Sequence, residues 1–373
     1  MEKRVFAGLE ERPSLLGFGC MRLPQQENGE IDTALLQHMV DAAIAGGINY
    51  FDTAWPYHGG KSEIYIGNAL KKYARDSFYL ADKMPARQLS AKAADVLFEE
   101  QLKKCQVEYF DFYLAHGLNA SNFQVFEAAG CYEVLQRKKM EGKIRHLGFS
   151  FHDNVQALEH ILEAHPWEFV QIQLNYVDWE STNAKEQYEM ICEKGLPILV
   201  MEPVRGGTLA NLTTSARRLL QEAAPQNSIA SWAIRYAASL PGVMTVLSGM
   251  SDLLQVEDNI KTMKEFKELS EQELVILGQV AQIFRASGTI PCTGCRYCMD
   301  CPAGVDIPRV FAAYNHYQNT LQENQFKNIY RTLLKTQRAD CCISCGTCKS
   351  RCPQAIDIPA QMKRVAELAA GIM

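Results

Sequence analysis

From the start of the chain to about residue 260, short apolar runs rich in Val, Ile, Phe, Tyr and Leu alternate with longer stretches whose apolar positions recur at helical spacing. The short runs are Leu15 to Met21, Ile48 to Phe51, Phe78 to Ala81, Phe110 to Ala115, Ile144 to Phe149, Phe169 to Leu174, Pro197 to Met201 and Met244 to Leu247. Each is apolar almost throughout, which suits strands covered on both faces. Eight such strands, each followed by a helix-length segment, predict an α/β fold of right-handed βα units closed into a (β/α)8 barrel. The one glycine-rich candidate for a dinucleotide-binding turn, Gly17-Phe18-Gly19, lacks the third glycine that turn requires. Two later helices, Leu253 to Phe266 and one opened by a capping box at Ser270 to Glu273, end the barrel domain. Arg285 to Pro291 (RASGTIP) reads as a linker, so the expected division is residues 1–285 for the barrel and 286–373 for a second, small domain.

Composition narrows the setting. The chain is 47% hydrophobic and 22% charged, which is ordinary for a folded globular protein and excludes a disordered one. Its 38 basic and 43 acidic residues give a net charge of −5, so a globally cationic nucleic-acid binder is excluded. No apolar run reaches the roughly 20 residues of a membrane span, and MEKRVFAGLEERP lacks the apolar core of a secretory signal. The expectation is a cytoplasmic protein with neither a membrane nor a nucleic-acid partner.

Chemistry in such a barrel gathers where strands end and βα loops begin. The second strand ends in Asp52, the third in Lys83 and the fourth in His116, and Tyr57 lies in the loop after the second. These four make a coherent set. A phenol is a poor acid at neutral pH, but an adjacent ammonium stabilises phenolate; Lys83 can supply that charge, and Asp52 can serve as its counter-ion. His116 can hydrogen-bond a substrate carbonyl and stabilise the negative charge that develops there. Trp55, His58 and Met84 suggest a mixed aromatic and polar substrate pocket.

The run FDTAWPYHGGKSEIYIGNAL, followed by a lysine ending the third strand and a histidine ending the fourth, resembles the aldo-keto reductases over roughly residues 1 to 265. That resemblance implies Tyr57 as general acid, Lys83 and His116 as its tuning and orienting partners, and Asp52 as the counter-ion of Lys83. It further implies an NAD(P)H coenzyme, with Ser150 and Gln171 on the nicotinamide carboxamide and Gly206 and Gly207 of EPVRGG along the pyrophosphate. The segment beginning at Ser248 and Gly249, with Gln255 and Asn259, would cover the adenosine phosphate end. Two features depart from the family pattern. Met201-Glu202-Pro203 supplies no ring to stack on nicotinamide, and no basic residue occurs from Ser248 to Ile260, which leaves Arg205 as a candidate for a 2′-phosphate.

Nine of the thirteen cysteines lie between Cys292 and Cys352. Clustered cysteines in a chain without export signals more often bind metal than form disulfides. CISCGTCKSRCP, from Cys342, has the C-x2-C-x2-C-x3-C-P spacing of bacterial ferredoxins, and CTGCRYCMDCP, from Cys292, is shorter by one residue in its last gap. Zinc is the competing metal. Four cysteines per run, the terminal Cys-Pro and the echo of CPAGVDIP in CPQAIDIP favour two [4Fe–4S] clusters in pseudo-symmetric halves. Ferredoxin-type crossing would assign Cys292, Cys295, Cys298 and Cys352 to one cluster, and Cys342, Cys345, Cys348 and Cys301 to the other, with Cys341 a spare. Val310, Phe311, Tyr314 and Tyr317 recur at helical spacing between the runs, and the module resembles the α-helical dicluster ferredoxin domain of succinate dehydrogenase iron–sulfur subunits.

The whole chain is therefore similar to iron–sulfur-containing aldo-keto reductases. The implied function is reversible reduction of a small-molecule carbonyl to an alcohol. An electron-transfer protein that uses its barrel to dock a redox partner is the rival reading, and a redox or oxygen sensor a third.

Overall fold

The structure, a computed structural model, describes residues 1–86 and 90–373. The chain forms two compact units, one of Met1–Pro203 with Ser231–Leu269 and the other of Val204–Ala230 with Ser270–Met373.

The first unit is the barrel. Its strands are β1 (Leu16–Gly19), β2 (Tyr50–Asp52), β3 (Tyr79–Pro85), β4 (Phe110–Leu118), β5 (Ile144–Phe151), β6 (Val170–Gln173), β7 (Ile198–Met201) and β8 (Val243–Gly249). They pair in parallel in chain order, and β8 closes on β1. All eight expected strands are present. β3, β4, β5 and β8 run further than their apolar stretches, because ladder pairing continues through the polar residues at the rim. Lys83, His116, Ser150 and Ser248 accordingly stand within strands, held by regular backbone pairing. The interior is filled by Tyr50, Phe112, Leu114, Phe169, Leu199 and Met244, and Leu9 and Phe6 of the N-terminal segment pack against this core. Glu11 follows in the same segment, 2.5 Å from His146 Nε2, while Glu168 lies 3.1 Å from the other ring nitrogen.

The second unit begins straight after β7. Its helix Glu271–Ala286 opens at Ser270 with the expected capping box. That helix buries Leu277, Val280, Ala281 and Phe284 and packs on the helix Thr214–Ala223. Both helices fall in one compact unit with the cysteine-rich region. The two echoed CP…DIP segments fold alike: Asp306 caps Ile307–Thr320 and Asp357 caps Ile358–Ile372, each with a proline in the first turn. Val305, Ile307, Val310, Phe311, Tyr314, Ile356, Ile358, Met362 and Val365 form the module's core. Among the described residues no helix is long and apolar enough to cross a membrane.

Candidate functional site

Strand register places the barrel tetrad. Gly19 pairs with Asp52, Asp52 with Ala81 and Pro85 with His116, so the ends of β1 to β4 share one rim. Lys83 is fully buried and Asp52 is 3% exposed. The Lys83 ammonium donates to Asp52 Oδ1 at 2.5 Å and to the Thr53 carbonyl at 2.6 Å. It lies 5.0 Å from the centre of the Tyr57 ring, which meets the His116 ring nearly at right angles with ring centres 6.0 Å apart. All four residues are together.

The electrostatics differ from expectation in one respect. Burial, reinforced by the nearby carboxylate of Asp52, pushes the Tyr57 phenol well above its ordinary pKa. The ammonium of Lys83 is turned to Asp52. Burial raises Asp52 as well, against the pull of Lys83. Tyr57 in this state is a neutral phenol that keeps its proton.

Behind the tetrad stands a network absent from the sequence reading. Gln101 donates to the Lys83 carbonyl at 3.1 Å and to Glu63 at 2.9 Å, and it accepts from the Tyr113 hydroxyl. Lys104 closes it at 2.9 Å from the other Glu63 oxygen. The Ser-Glu pair after Tyr57 hinted at Glu63, but nothing marked Gln101 within its amphipathic helix. His58 accepts from the Leu23 amide at 3.1 Å, and burial lowers its pKa, so it fastens the loop as a neutral imidazole.

The residues expected around a coenzyme lie at later strand ends. Ser150 pairs with Gln171, and its hydroxyl accepts from the Gly117 amide at 2.7 Å. Gln171 is 2% exposed, and its Oε1 has no hydrogen-bond partner among the described residues. A buried acceptor of this kind suits a carboxamide N–H. Asn259 holds Ser248 through a 2.9 Å hydrogen bond. Gln255 is spent locally, on Ser251 and Asp252. Gly249 has Arg22 beside it: a Cβ there would stand 3.1 Å from the Arg22 Cδ. Arg22 pairs with Glu202 at 3.1 Å. Sequence reasoning missed this cation, because it stands after β1, far along the chain from the Ser248 segment. Gly206 and Gly207 carry positive φ of 66° and 88° immediately after β7. Arg205, named as a candidate for a 2′-phosphate, is 4% exposed with its guanidinium over the Phe284 ring.

In the second unit the cysteines gather around two cavities. Cys292, Cys295, Cys298 and Cys352 line one; Cys301, Cys342, Cys345 and Cys348 line the other. Each cavity takes its fourth cysteine from the other run, and Ile307 and Ile358 line both. None of these cysteines is in a disulfide. Burial and the neighbouring Cys295, Cys292 and Cys352 push Cys298 up to about 12, while burial and Cys342, Cys301 and Cys345 raise Cys348. Four thiolates around one cavity repel one another unless a cation neutralises them. Among the described residues no group of three or more His, Cys, Asp or Glu closes on a point that could hold a single ion.

Residues 15–282 match the Aldo/keto reductase family. The chain belongs to that family. It is an oxidoreductase, and residues 291–356 match the 4Fe-4S dicluster domain. Among curated relatives, this aldo/keto reductase is 25% identical over 308 residues to the uncharacterized oxidoreductase YqkF of Bacillus subtilis, covering 74% of this chain and 95% of that one. It is also 25% identical to the NADH-specific methylglyoxal reductase of Escherichia coli, over 68% and 90% of the two chains. Among solved structures, the holo form of an aldo-keto reductase from Bacillus halodurans superposes with a TM-score of 0.63 at 25% identity, covering 75% of this chain and 96% of that one. A Klebsiella pneumoniae aldo-keto reductase in complex with NADPH, 19% identical with a TM-score of 0.63 over 75% and 96%, shares the fold.

Proposed function

We propose that this enzyme interconverts a small-molecule carbonyl and its alcohol, with NAD(P)H as coenzyme and Tyr57 as the proton donor. The observation that carries the reading is the buried Lys83–Asp52 pair beside the Tyr57 ring, with His116 packed nearly perpendicular to that ring. When bound, the coenzyme supplies a hydride to the carbonyl carbon, and the oxygen then needs one proton. Tyr57 holds that proton in a site too dry to give it to water and yields it once negative charge grows on a substrate oxygen. His116 orients that oxygen, and Lys83, fixed by Asp52 and the Thr53 carbonyl, sets the local field. Ser150 and the unpartnered Gln171 oxygen support a carboxamide, and the left-handed turn at Gly206 and Gly207 supports close approach of a pyrophosphate. Bacterial and plant relatives acting on methylglyoxal and L-galactose make a small polar carbonyl or alcohol the substrate class of choice.

The same reading places two [4Fe–4S] clusters on the eight crossed cysteines. Four cysteines around each cavity, in runs that each end in Cys-Pro, support four-iron clusters over single zinc ions. Exposed Cys345, next to the exposed Ser344 and the 65% exposed Ile343, favours a one-electron partner protein at the second cluster. A reducing, cytoplasmic setting keeps these thiols available. Anaerobically purified protein is tested with NADH and NADPH against a panel of small aldehydes and ketones. Tyr57→Phe is expected to cut turnover by about 10²–10⁴-fold while coenzyme affinity holds. Near-wild-type turnover in that variant would remove Tyr57 from the role.

A further inference from the structure

The segment after β7 has a costly backbone. Arg205, Gly206 and Gly207 all take positive φ, at 51°, 66° and 88°. For a residue with a side chain such as Arg205 this conformation persists only when its surroundings hold it. The surroundings here come from the helix Glu271–Ala286 and from the first cysteine run. Gly206 lies directly against the backbone of Thr293: a Cβ at Gly206 would stand 2.7 Å from the Thr293 carbonyl carbon and 2.8 Å from its Cα. Thr293 is 3% exposed, and Arg205 is buried with its guanidinium 5.7 Å from the centre of the Phe284 ring. Beside Gly207, by contrast, a Cβ would meet nothing within 4 Å. Thr293 sits between Cys292 and Cys295, and all three line the first cavity. One short stretch of backbone thus borders the cluster cavity and also supports the glycine turn.

We propose that the first cluster and the coenzyme are linked through this contact: filling the first cavity fixes the Thr293 backbone, and that backbone holds Arg205–Gly207 in the shape that accepts the coenzyme phosphates. The inference rests on the reading of Gly206 and Gly207 as coenzyme contacts. Thiolates bonded to iron remove chain freedom from Cys292 to Cys295, and Gly206, having no side chain to absorb a shift, transmits the backbone's position. Linkage is reciprocal, so coenzyme binding must alter the first cluster in turn. The cluster would then govern hydride chemistry through affinity, and no electron need pass between a one-electron centre and a two-electron carrier.

The test uses full-length protein with its clusters, prepared anaerobically, and NADH as the probe. Gly206→Ala is compared with Gly207→Ala; both put a methyl on a positive-φ glycine, but only the first drives it into Thr293. Affinity is read by NADH fluorescence titration, and the dithionite-reduced clusters by their electron paramagnetic resonance spectrum with and without NADH. The wild-type spectrum should shift on saturation with NADH. Gly206→Ala should change the coenzyme-free spectrum and weaken NADH by about tenfold, within the usual range of coupling between sites. Gly207→Ala should leave the coenzyme-free spectrum as in wild type. A wild-type protein that binds NADH with its spectrum unmoved would overturn the linkage, as would a Gly206→Ala protein with wild-type spectrum and affinity. Should Gly206→Ala not fold, the wild-type shift alone decides. Failure of wild type to bind either NADH or NADPH is a separate outcome, which overturns the coenzyme reading itself.

Discussion

Replacing Lys83 by methionine removes one charge from a fully buried pair and leaves the shape nearly intact. At an N–O separation of 2.5 Å, and with an effective dielectric of about 20, the attraction is ~7 kcal/mol. Most of that is offset by desolvation, several kcal/mol for each ion, so the intact pair contributes little net stability. The single variant keeps the desolvation of Asp52 and loses the attraction, and breaking a buried pair in this way costs about 3–5 kcal/mol. In a barrel of this size ~1 kcal/mol lowers the unfolding midpoint by about 2–4 °C, so the expected fall is roughly 6–20 °C. The pH dependence has a definite sign. The Asp52 pKa already lies above its ordinary value through burial, and without Lys83 it rises further. A raised carboxyl pKa favours the fold below the unfolded pKa and loses that advantage as pH rises through the folded one. Lys83→Met should therefore lie closest to wild type in acid and furthest from it at neutral pH. Near-ultraviolet circular dichroism melts at pH 5 and pH 7 are run on Lys83→Met, Asp52→Asn and the double variant, which removes both charges and should recover most of the loss. A single variant within about 1 kcal/mol of wild type at neutral pH, or a double variant no more stable than Lys83→Met, would refute the reasoning.

Three further outcomes are expected. NADH should serve at least as well as NADPH by kcat/KM, since Arg205 is buried over Phe284 and Arg22 is paired with Glu202; a large preference for NADPH would show another cation at the 2′-phosphate. Burial opposes protonation of His146, but the carboxylates of Glu168 and Glu11 outweigh it and raise its pKa. Its contribution is therefore full below about pH 6.5 and lost as pH rises through the raised folded value. His146→Gln should cost about 1.5–3 kcal/mol at pH 6 and flatten the stability profile above about pH 6.5; an unchanged profile would show that the charged His146 adds nothing to stability. Chemical analysis should find about eight iron and eight sulfide per wild-type chain. Cys352→Ser should lose the cluster bordered by Cys292, Cys295 and Cys298 and leave the barrel melt unchanged, whereas loss of the other cluster alone would exclude crossed ligation.

The barrel was legible because each of its strands is covered on both faces and so reads as an apolar run with a polar residue at its end. Asp52, Lys83 and His116 could be picked out for that reason: a charge closing an apolar strand contradicts local burial unless it has a task. Gln101 could not, because a polar residue on an amphipathic helix looks the same whether it meets solvent or a buried carbonyl. Arg22 was hidden by distance along the chain, since only closure of β8 on β1 brings it beside Gly249. The echoed DIP motifs marked both capped helices of the cysteine module.

The exchange of fourth cysteines between the two cavities also sets an order of events in synthesis. Cys292, Cys295 and Cys298 leave the ribosome early in the module, but the wall that completes their cavity is Cys352, the last of the eight to emerge. The other cavity waits for Cys348 and for the helix Ile358–Ile372, whose Ile358, Pro359 and Met362 line it. Neither can close before the segment from Cys352 to Met362 is in place. A chain cut short before Cys352 would lack part of the wall of each cavity.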